Sequence, residues 1–188
     1  MNYKIDKNGN YENREKIITK NVFACYDHNL QKKDTRVLNY NTEHNGYYEG
    51  LEDIRLLSHK GRLLYNANRS VASNMVIEHG EIVANGTTCE CLLKKENQNP
   101  IEKNWVLFSD ANENLKCIYK WHPLTIGSLD DGRFVNIQSI SSPLSFRDIR
   151  GSSNGVLIDN ELWFLTHLVS YEHRRHYYHM MVVIDPDT

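Results

Sequence analysis

Short runs in which apolar and polar side chains alternate recur along most of the 188-residue chain. No segment keeps apolar residues at the three-to-four spacing of an amphipathic helix over three turns. Many of the runs are rich in Val, Ile, Tyr, Phe and Trp, which favour the half-buried surface of a β-sheet. The predicted strands are Ile54–Leu57, Arg62–Ala67, Met75–Glu78, Glu81–Ala84, Thr88–Leu93, Trp105–Ser109, Leu115–Trp121, Arg133–Ile140, Gly155–Ile158, Leu162–Ser170 and Tyr177–Ile184.

Turn-forming residues separate several of these runs. The turn signals are His59-Lys60-Gly61, His79-Gly80, Asn112-Glu113-Asn114, Asp131-Gly132 and Asp159-Asn160. Closely spaced strands joined by short turns predict antiparallel meanders, and therefore an all-β sandwich, barrel or propeller.

Composition and charge narrow the class of protein. The chain is 40% hydrophobic and 24% charged, which is typical of a globular domain, and its formal net charge is -2. That balance argues against nucleic acid as a partner, because such partners select a strongly basic face. We expect no membrane association, since no apolar run approaches the ~20 residues that span a bilayer. The polar N-terminus lacks the apolar core of a signal peptide, which predicts a cytoplasmic protein.

The first candidate for chemistry is the segment Glu52-Asp53-Ile54-Arg55 at the start of a predicted strand. Residues two apart on a strand share a face, so Asp53 and Arg55 would lie together and Glu52 on the other side. This pattern suits either a carboxylate held in a fixed orientation or an ordinary ion pair at a strand start.

Further candidates lie at three later positions. Lys103-Asn104-Trp105 combines a point charge, an amide and a wide apolar ring, a set that could bind an anion and a sugar. The alternative is a solvated lysine beside a tryptophan that packs in the core. Arg150 precedes Gly-Ser-Ser, a plausible anion cradle or a polar loop. His167 ends an apolar strand, where a structural role competes with a functional one.

A metal site is not expected. His173, His176 and His179 recur at a spacing of three, which would bring them to one side only on a helix, and their flanks resemble strands. Cys89 and Cys91 have no second cysteine pair at the spacing of a closed tetrahedral site.

The order of these segments is more informative than any one of them. Gly-x-Glu-Asp-x-Arg, then Lys-Asn, then Arg-Gly-x-x, then an apolar strand ending in His, resembles the β-mannoside phosphorylases and hydrolases of glycoside hydrolase family 130. The resemblance runs from Gly50 to about His167 and implies a five-bladed β-propeller. At roughly 40–50 residues per blade, the chain holds about four blades, so we expect the ring to lack its last blade. We expect a polar entry segment over residues 1–20 and the propeller-like domain over 21–188.

The resemblance also implies roles for individual residues. Asp53 would be the general acid, and Lys103, Arg150 and His167 would bind inorganic phosphate as co-substrate. Phosphate would attack the anomeric carbon from the face opposite the leaving group, with inversion. The predicted substrate contacts are Glu52, Arg55, Asn104, Trp105 and Tyr178.

The chain departs from the family pattern at three positions. Ile54 stands where proline is usual, Lys103 where the phosphorylases have arginine, and Arg150 where they have lysine. The charge count is kept while the geometry of the donors changes, because arginine and lysine are not interchangeable.

Three functions stay open on the sequence alone. The first is an inverting phosphorylase, or a hydrolase with a second carboxylate from Glu52, Glu102 or Asp148. The second is a non-catalytic glycan-binding propeller associated with glycosyltransferases, and the third is an interaction scaffold. The expected partner is an oligosaccharide or glycan, no cofactor is expected, and an incomplete ring would leave blade edges that favour oligomers.

Overall fold

The protein is described by a computed structural model that covers residues 17–40, 48–95 and 98–186. Within these ranges the chain is all-β, and its one helical element is a short 3-10 turn over Leu144–Phe146. The all-β prediction is therefore confirmed. The strands are β1 (Ile17–Ile18), β2 (Val22–Tyr26), β3 (Lys32–Val37), β4 (Tyr48–Glu49), β5 (Leu51–His59), β6 (Arg62–Val71), β7 (Asn74–Val83), β8 (Gly86–Leu93), β9 (Val106–Ser109), β10 (Leu115–Trp121), β11 (Leu124–Asp130), β12 (Arg133–Ile140), β13 (Arg150–Gly151), β14 (Val156–Ile158), β15 (Glu161–Ser170) and β16 (His176–Ile184).

Three antiparallel sheets of four strands form most of the fold. The first sheet has the order β5-β6-β7-β8, and the second β9-β10-β11-β12. In the third, β13 and β14 both pair with β15, whose other edge pairs with β16. Strands β2 and β3 form a separate antiparallel pair, and β1 pairs with β4 in parallel. Consecutive strands thus pair as meanders, as the short turns predict.

The sheets stack face to face, as blades of a propeller do. Along β9 the side chains alternate: Leu107 joins the core between the first two sheets, while Val106 and Phe108 join the core between the second and third. Because both faces of this strand are buried, its sequence is a continuous apolar run rather than an alternating one. A third core, around Leu51 and Tyr65, lies on the other side of the first sheet.

One edge strand of each four-stranded sheet lies beside an edge strand of the next sheet. Strand β5 packs beside β9, and β9 packs beside β14. Polar residues at the ends of these strands, far apart along the chain, are thereby brought towards one region. This arrangement positions the candidate site.

The part of the chain that the structure describes contains three four-stranded sheets rather than the roughly four blades expected for this length, and the five-bladed ring implied by the resemblance is not shown. The three four-stranded sheets and the two strand pairs account for all the strands of the described residues, and no strand pairing joins them into a closed barrel. The boundary predicted at residue 20 stays a prediction, and residues 1–16 lie outside the described residues.

The structure differs from the sequence predictions at one turn and at one strand. The turn predicted at His79-Gly80 is the middle of one long strand, β7, where the register against β8 shifts between the two residues. Gly80 is needed there because a Cβ would lie 2.1 Å from the carbonyl oxygen of Thr88, so this glycine marks a bulge rather than a turn. Strand β11, Leu124–Asp130, was not predicted.

No helix in the described ranges is long and apolar enough to cross a membrane.

Candidate active site

A cavity of about 460 Å³ opens beside the neighbouring edge strands of the three sheets. It brings together Asp53, Lys103, Arg150 and His167, which come from four separate segments of the chain. Two more of the predicted substrate contacts, Arg55 and Asn104, line it as well. The remaining lining residues are Ile54, Ser152, Arg175, Tyr177 and His179.

Asp53 lies in a β-bulge of β5. The register against β6 shifts between Glu52 and Arg55, so Asp53 and Ile54 have no partner residue across the ladder. The backbone of Asp53 has φ 53°, the left-handed conformation that aspartate and asparagine tolerate better than most residues. Its Oδ2 accepts a hydrogen bond of 2.9 Å from Nδ2 of Asn68, a fully buried residue of β6. The bulge therefore projects an exposed carboxylate into the cavity and Asn68 orients it.

Arg55 ties together the segments that form the cavity wall. Its buried guanidinium donates to the carbonyl oxygens of Asp53 (3.1 Å), Gly151 (3.0 Å) and Ser152 (3.1 Å), and to Oδ1 of Asn104 (3.2 Å). Burial lowers the pKa of Arg55, and the nearby Asp53 carboxylate opposes that shift. Arg55 thus fixes the backbone around Asp53, and its donors are already occupied by protein acceptors.

The segment before β9 contributes Lys103 and Asn104. Asn104 has φ 63°, a second left-handed residue in the same wall. Gly151 lies against it, since a Cβ on Gly151 would be 2.9 Å from the carbonyl oxygen of Asn104 and 2.2 Å from a methyl carbon of Val106. The absence of a side chain at Gly151 is what lets β13 approach this segment so closely.

Lys103 is shared between the cavity and Glu52. Its Nζ is 3.6 Å from Oε2 of Glu52. Burial raises the pKa of Glu52, Lys103 lowers it, and the carboxylate of Asp53 raises it. Glu52 itself is not among the residues that line the cavity; of the predicted substrate contacts, it reaches the site only through Lys103.

Arg150 and His167 are direct cross-strand partners of β13 and β15. Nδ1 of His167 is 2.7 Å from Oγ of Ser152, which orients the ring. Arg150 has its Nη2 3.3 Å from the hydroxyl of Tyr171. The side chains of cross-strand partners lie close together, so the guanidinium and the imidazole form one side of the cavity.

The pKa of His167 is lowered from its ordinary value. Burial is the largest cause, followed by the positive charge of Arg150, then His179 and Arg55, while Asp53 acts in the opposite direction. The imidazole is therefore mostly neutral at pH 7. A bound anion would reverse this effect, because it would favour the imidazolium form.

Strand β16 supplies residues that sequence reasoning missed. The ring of His167 lies 5.6 Å from that of Tyr177 and 6.2 Å from that of His179. Tyr177 and His179 are two apart and share a face, so Tyr178 points to the opposite face and is not a lining residue. The cavity thus has Tyr177 rather than Tyr178 in its lining, and the alternation along β16 is the signal that points to Tyr177. The hairpin residue Arg175 was also missed.

Trp105 does not reach the cavity. Its side chain is 1% exposed and packs edge-on against Tyr119 and Phe134 in the core between the first two sheets. Its indole N–H donates to Oε2 of Glu102 at 3.1 Å. Trp105 is therefore a core residue rather than a sugar contact. Glu102 accepts this hydrogen bond and is itself buried, so its carboxylate is not available as a base in the cavity.

Positively charged side chains outnumber negatively charged ones around the cavity. Its lining includes the carboxylate of Asp53 and the four cations Arg55, Lys103, Arg150 and Arg175, together with two imidazoles. A cavity lined in this way attracts a small dianion and places it near one carboxylate. Among the described residues, no cluster of three or more His, Cys, Asp or Glu side chains has the arrangement of a metal site.

Comparison with known proteins gives a likeness of fold. No protein-family model matches the chain, and no curated protein matches it in sequence. One similar solved structure is a hypothetical protein from Leishmania major, at 16% identity and a TM-score of 0.52, covering 81% of this chain and 54% of its own. Another is a mannose phosphorylase from Leishmania mexicana in complex with a phosphate ion, at 14% identity and a TM-score of 0.51, covering 81% and 55%. The chain thus spans about half the length of these two structures and shares their fold.

Proposed function

We propose that the protein catalyses inverting phosphorolysis of a β-mannoside-like glycoside, with Asp53 as general acid and phosphate held by Lys103, Arg150 and His167. One observation carries this proposal: these four residues, distant in sequence, line a single cavity. The fold shared with a mannose phosphorylase that was solved with phosphate supports it.

The proposed reaction forms and breaks one bond each at the anomeric carbon. A phosphate oxygen forms the new bond as the glycosidic C–O bond breaks, and the leaving oxygen takes a proton from Asp53 directly or through a sugar hydroxyl. The products are a sugar 1-phosphate of inverted configuration and the shortened saccharide. The attacking hydrogen phosphate loses its own proton as the ester bond forms, and this proton returns Asp53 to its acid form, so the step balances.

Phosphate is favoured over water as the nucleophile. An inverting hydrolase places a second carboxylate roughly 6.5–9.5 Å from the acid to activate water. Of the three candidates, Glu52 is paired with Lys103, Glu102 is bonded to Trp105, and Asp148 is not among the residues lining the cavity. Cations dominate the lining instead, which suits an anionic nucleophile.

The cationic groups have distinct tasks in this proposal. Lys103 supplies a point charge, and Arg150 a planar fork that matches two phosphate oxygens. The neutral His167 donates from Nε2 when the hydroxyl of Ser152 donates to Nδ1. Arg55 holds the bulge that carries Asp53, because four of its five N–H donors are bonded to backbone carbonyls and to Asn104.

The direct test is incubation of the protein with β-1,4-linked mannobiose and inorganic phosphate, followed by ³¹P NMR. The proposal requires an α-mannose 1-phosphate signal with wild type and its loss in Asp53→Asn. The Asn variant keeps the left-handed backbone, which Asn also tolerates, so loss of product reports the acid rather than the fold. Turnover that survives Asp53→Asn would remove Asp53 from the mechanism. A panel of β-mannosides, none of which yields product, would remove phosphorolysis and leave the glycan-binding alternative.

A further inference from the structure

A second cavity of about 250 Å³ adjoins the candidate active site. The two share Lys103, Asn104 and Arg150 in their walls. The second cavity lies between the turn that joins β10 to β11 and the segment that leads into β13.

The walls of this second cavity have an apolar base and a cationic rim. Trp121 and Ile149, both nearly fully buried, form part of the lining. Lys120 and Arg147 are exposed and join Lys103 and Arg150 around it, and no Asp or Glu is among its described lining residues. A cavity with several cations at its rim suits a sugar that carries a negative charge, because the charged substituent can accept charge-assisted hydrogen bonds from the Lys and Arg side chains.

A third cavity continues the same surface. It shares Tyr119 and Lys120 with the second and adds Lys95. The ammonium groups of Lys95 and Lys120 lie 4.9 Å and 5.9 Å from the centre of the Tyr119 ring. No carboxylate is among its described lining residues either.

The three adjoining cavities form one groove, and its lining is positively charged although the protein as a whole is slightly negative. Among the described residues, seven Lys and Arg line the three adjoining cavities, against one Asp or Glu, which is Asp53. The whole chain has a net charge of -2, so the excess of cations is local. One phosphate dianion accounts for the cations around Asp53, but it does not account for Lys120 and Arg147 in the second cavity.

We infer that the groove binds a saccharide whose sugar residues carry anionic substituents, and that Lys120 and Arg147 bind the negative group of the residue next to the scissile bond. The substrate class is then an acidic oligosaccharide, with carboxylate or phosphate ester substituents, rather than a neutral one. This inference rests on the proposed function for the identity of the ligand as a sugar.

The test measures binding rather than turnover, so that its failure is distinct from failure of phosphorolysis. Calorimetry with the Asp53→Asn protein compares neutral mannotriose, a β-1,4-mannuronate trisaccharide and a mannotriose 6-phosphate, each without inorganic phosphate. We expect the acidic ligands to bind about tenfold tighter than the neutral one at low salt, and the preference to shrink as salt screens the groove. The carboxylate and phosphate ester arms show which substituent the groove prefers.

Two double variants complete the test. Lys120→Gln/Arg147→Gln should bring the ratio of acidic to neutral affinity close to one. Lys60→Gln/Arg133→Gln removes the same charge from exposed positions outside the three cavities and should keep the ratio. Equal affinity for neutral and acidic trisaccharides, or a preference that both double variants retain, overturns the inference. Tighter binding of a short single-stranded DNA than of either acidic saccharide also overturns it.

Discussion

Oγ of Ser152 lies 2.7 Å from Nδ1 of His167, and this contact fixes which ring nitrogen is left for the cavity. His167 lies in β15, and Ser152 directly follows β13, the strand that pairs with β15. The pairing of these two strands therefore brings the hydroxyl and the ring together. Ser152 is therefore a positioning residue for His167 under the proposed function.

Removal of the Ser152 hydroxyl should weaken phosphate binding. In Ser152→Ala the imidazole loses its orienting partner, and we expect about a tenfold rise in the Kd for phosphate, equivalent to ~1.4 kcal/mol. Isothermal titration measures the affinity, and ¹H–¹³C NMR measures the pKa of His167 in the same variant. Ser170→Ala, which loses an exposed hydrogen bond to Glu172, serves as the matched control. An unchanged Kd and an unchanged His167 titration would show that Ser152 has no part in positioning the ring.

Phosphate should raise the pKa of His167. In the free protein this pKa is lowered by burial and by Arg150, and a dianion beside the ring would stabilise the imidazolium form. The titration of His167, assigned with His167→Gln, should therefore move to higher pH when phosphate is added. A titration curve that phosphate leaves in place would separate His167 from the anion site.

The same shift sets a dependence of stability on pH. The folded pKa of His167 lies below the unfolded value of about 6.5, so the unfolded chain takes up this proton more readily. The contribution of His167 to the free energy of unfolding is present above pH ~6.5 and is lost as the pH falls through the folded pKa. Urea unfolding at pH 7.5 and 5.5 should show a smaller loss in His167→Gln than in wild type. An equal loss in both proteins would contradict the assignment.

Replacement of Arg55 should disrupt the site and the fold together. Arg55→Lys keeps the charge but cannot make the four hydrogen bonds to Asp53, Asn104, Gly151 and Ser152. We expect a loss of about 2–4 kcal/mol in the free energy of unfolding, because buried acceptors are left without donors. Arg62→Lys, in an exposed ion-pair network, should change stability far less. Similar urea midpoints for the two variants would show that the Arg55 contacts contribute little.

A methyl group at Gly151 should push β13 away from the segment before β9. The Cβ of Gly151→Ala would overlap Val106, and overpacking of this kind costs about 1–3 kcal/mol. Displacement of β13 would also move Arg150, so phosphate affinity should fall along with stability. Gly61→Ala is the matched comparison, since its Cβ meets nothing within 4 Å and only its φ of +74° is strained. Phosphate affinity that survives in Gly151→Ala would mean that the close approach does not position Arg150.

Local patterns were enough to predict much of the fold. The strand over Leu115–Trp121 and the strand over Arg133–Ile140 match β10 and β12, because both carry dense β-forming residues between clear turn signals. Strand β11 was missed because its central Gly127 and Ser128 resemble a turn. In the structure, Phe134 and Val135 of β12 occupy the space that a Cβ on Gly127 would need.

The site was predictable only in part. The order of short motifs identified Asp53, Lys103, Arg150 and His167, and Ser152 belongs to the Gly-Ser-Ser cradle that follows Arg150, but no motif assigned a site role to Arg175, Tyr177 or His179. The participation of Tyr177 and His179 depends on which face of β16 lies towards the cavity, and on the register that pairs His167 with His179. That information is tertiary, and it also explains why Trp105, adjacent to two lining residues, is buried in the core instead.

The most direct test of the central claim is a crystal structure of the protein grown or soaked with phosphate. The account predicts a phosphate ion within about 3.2 Å of Nζ of Lys103, the guanidinium of Arg150 and Nε2 of His167, on the side of the cavity that faces Asp53. A phosphate ion bound only elsewhere, with that cavity filled by water at saturating phosphate, would contradict it.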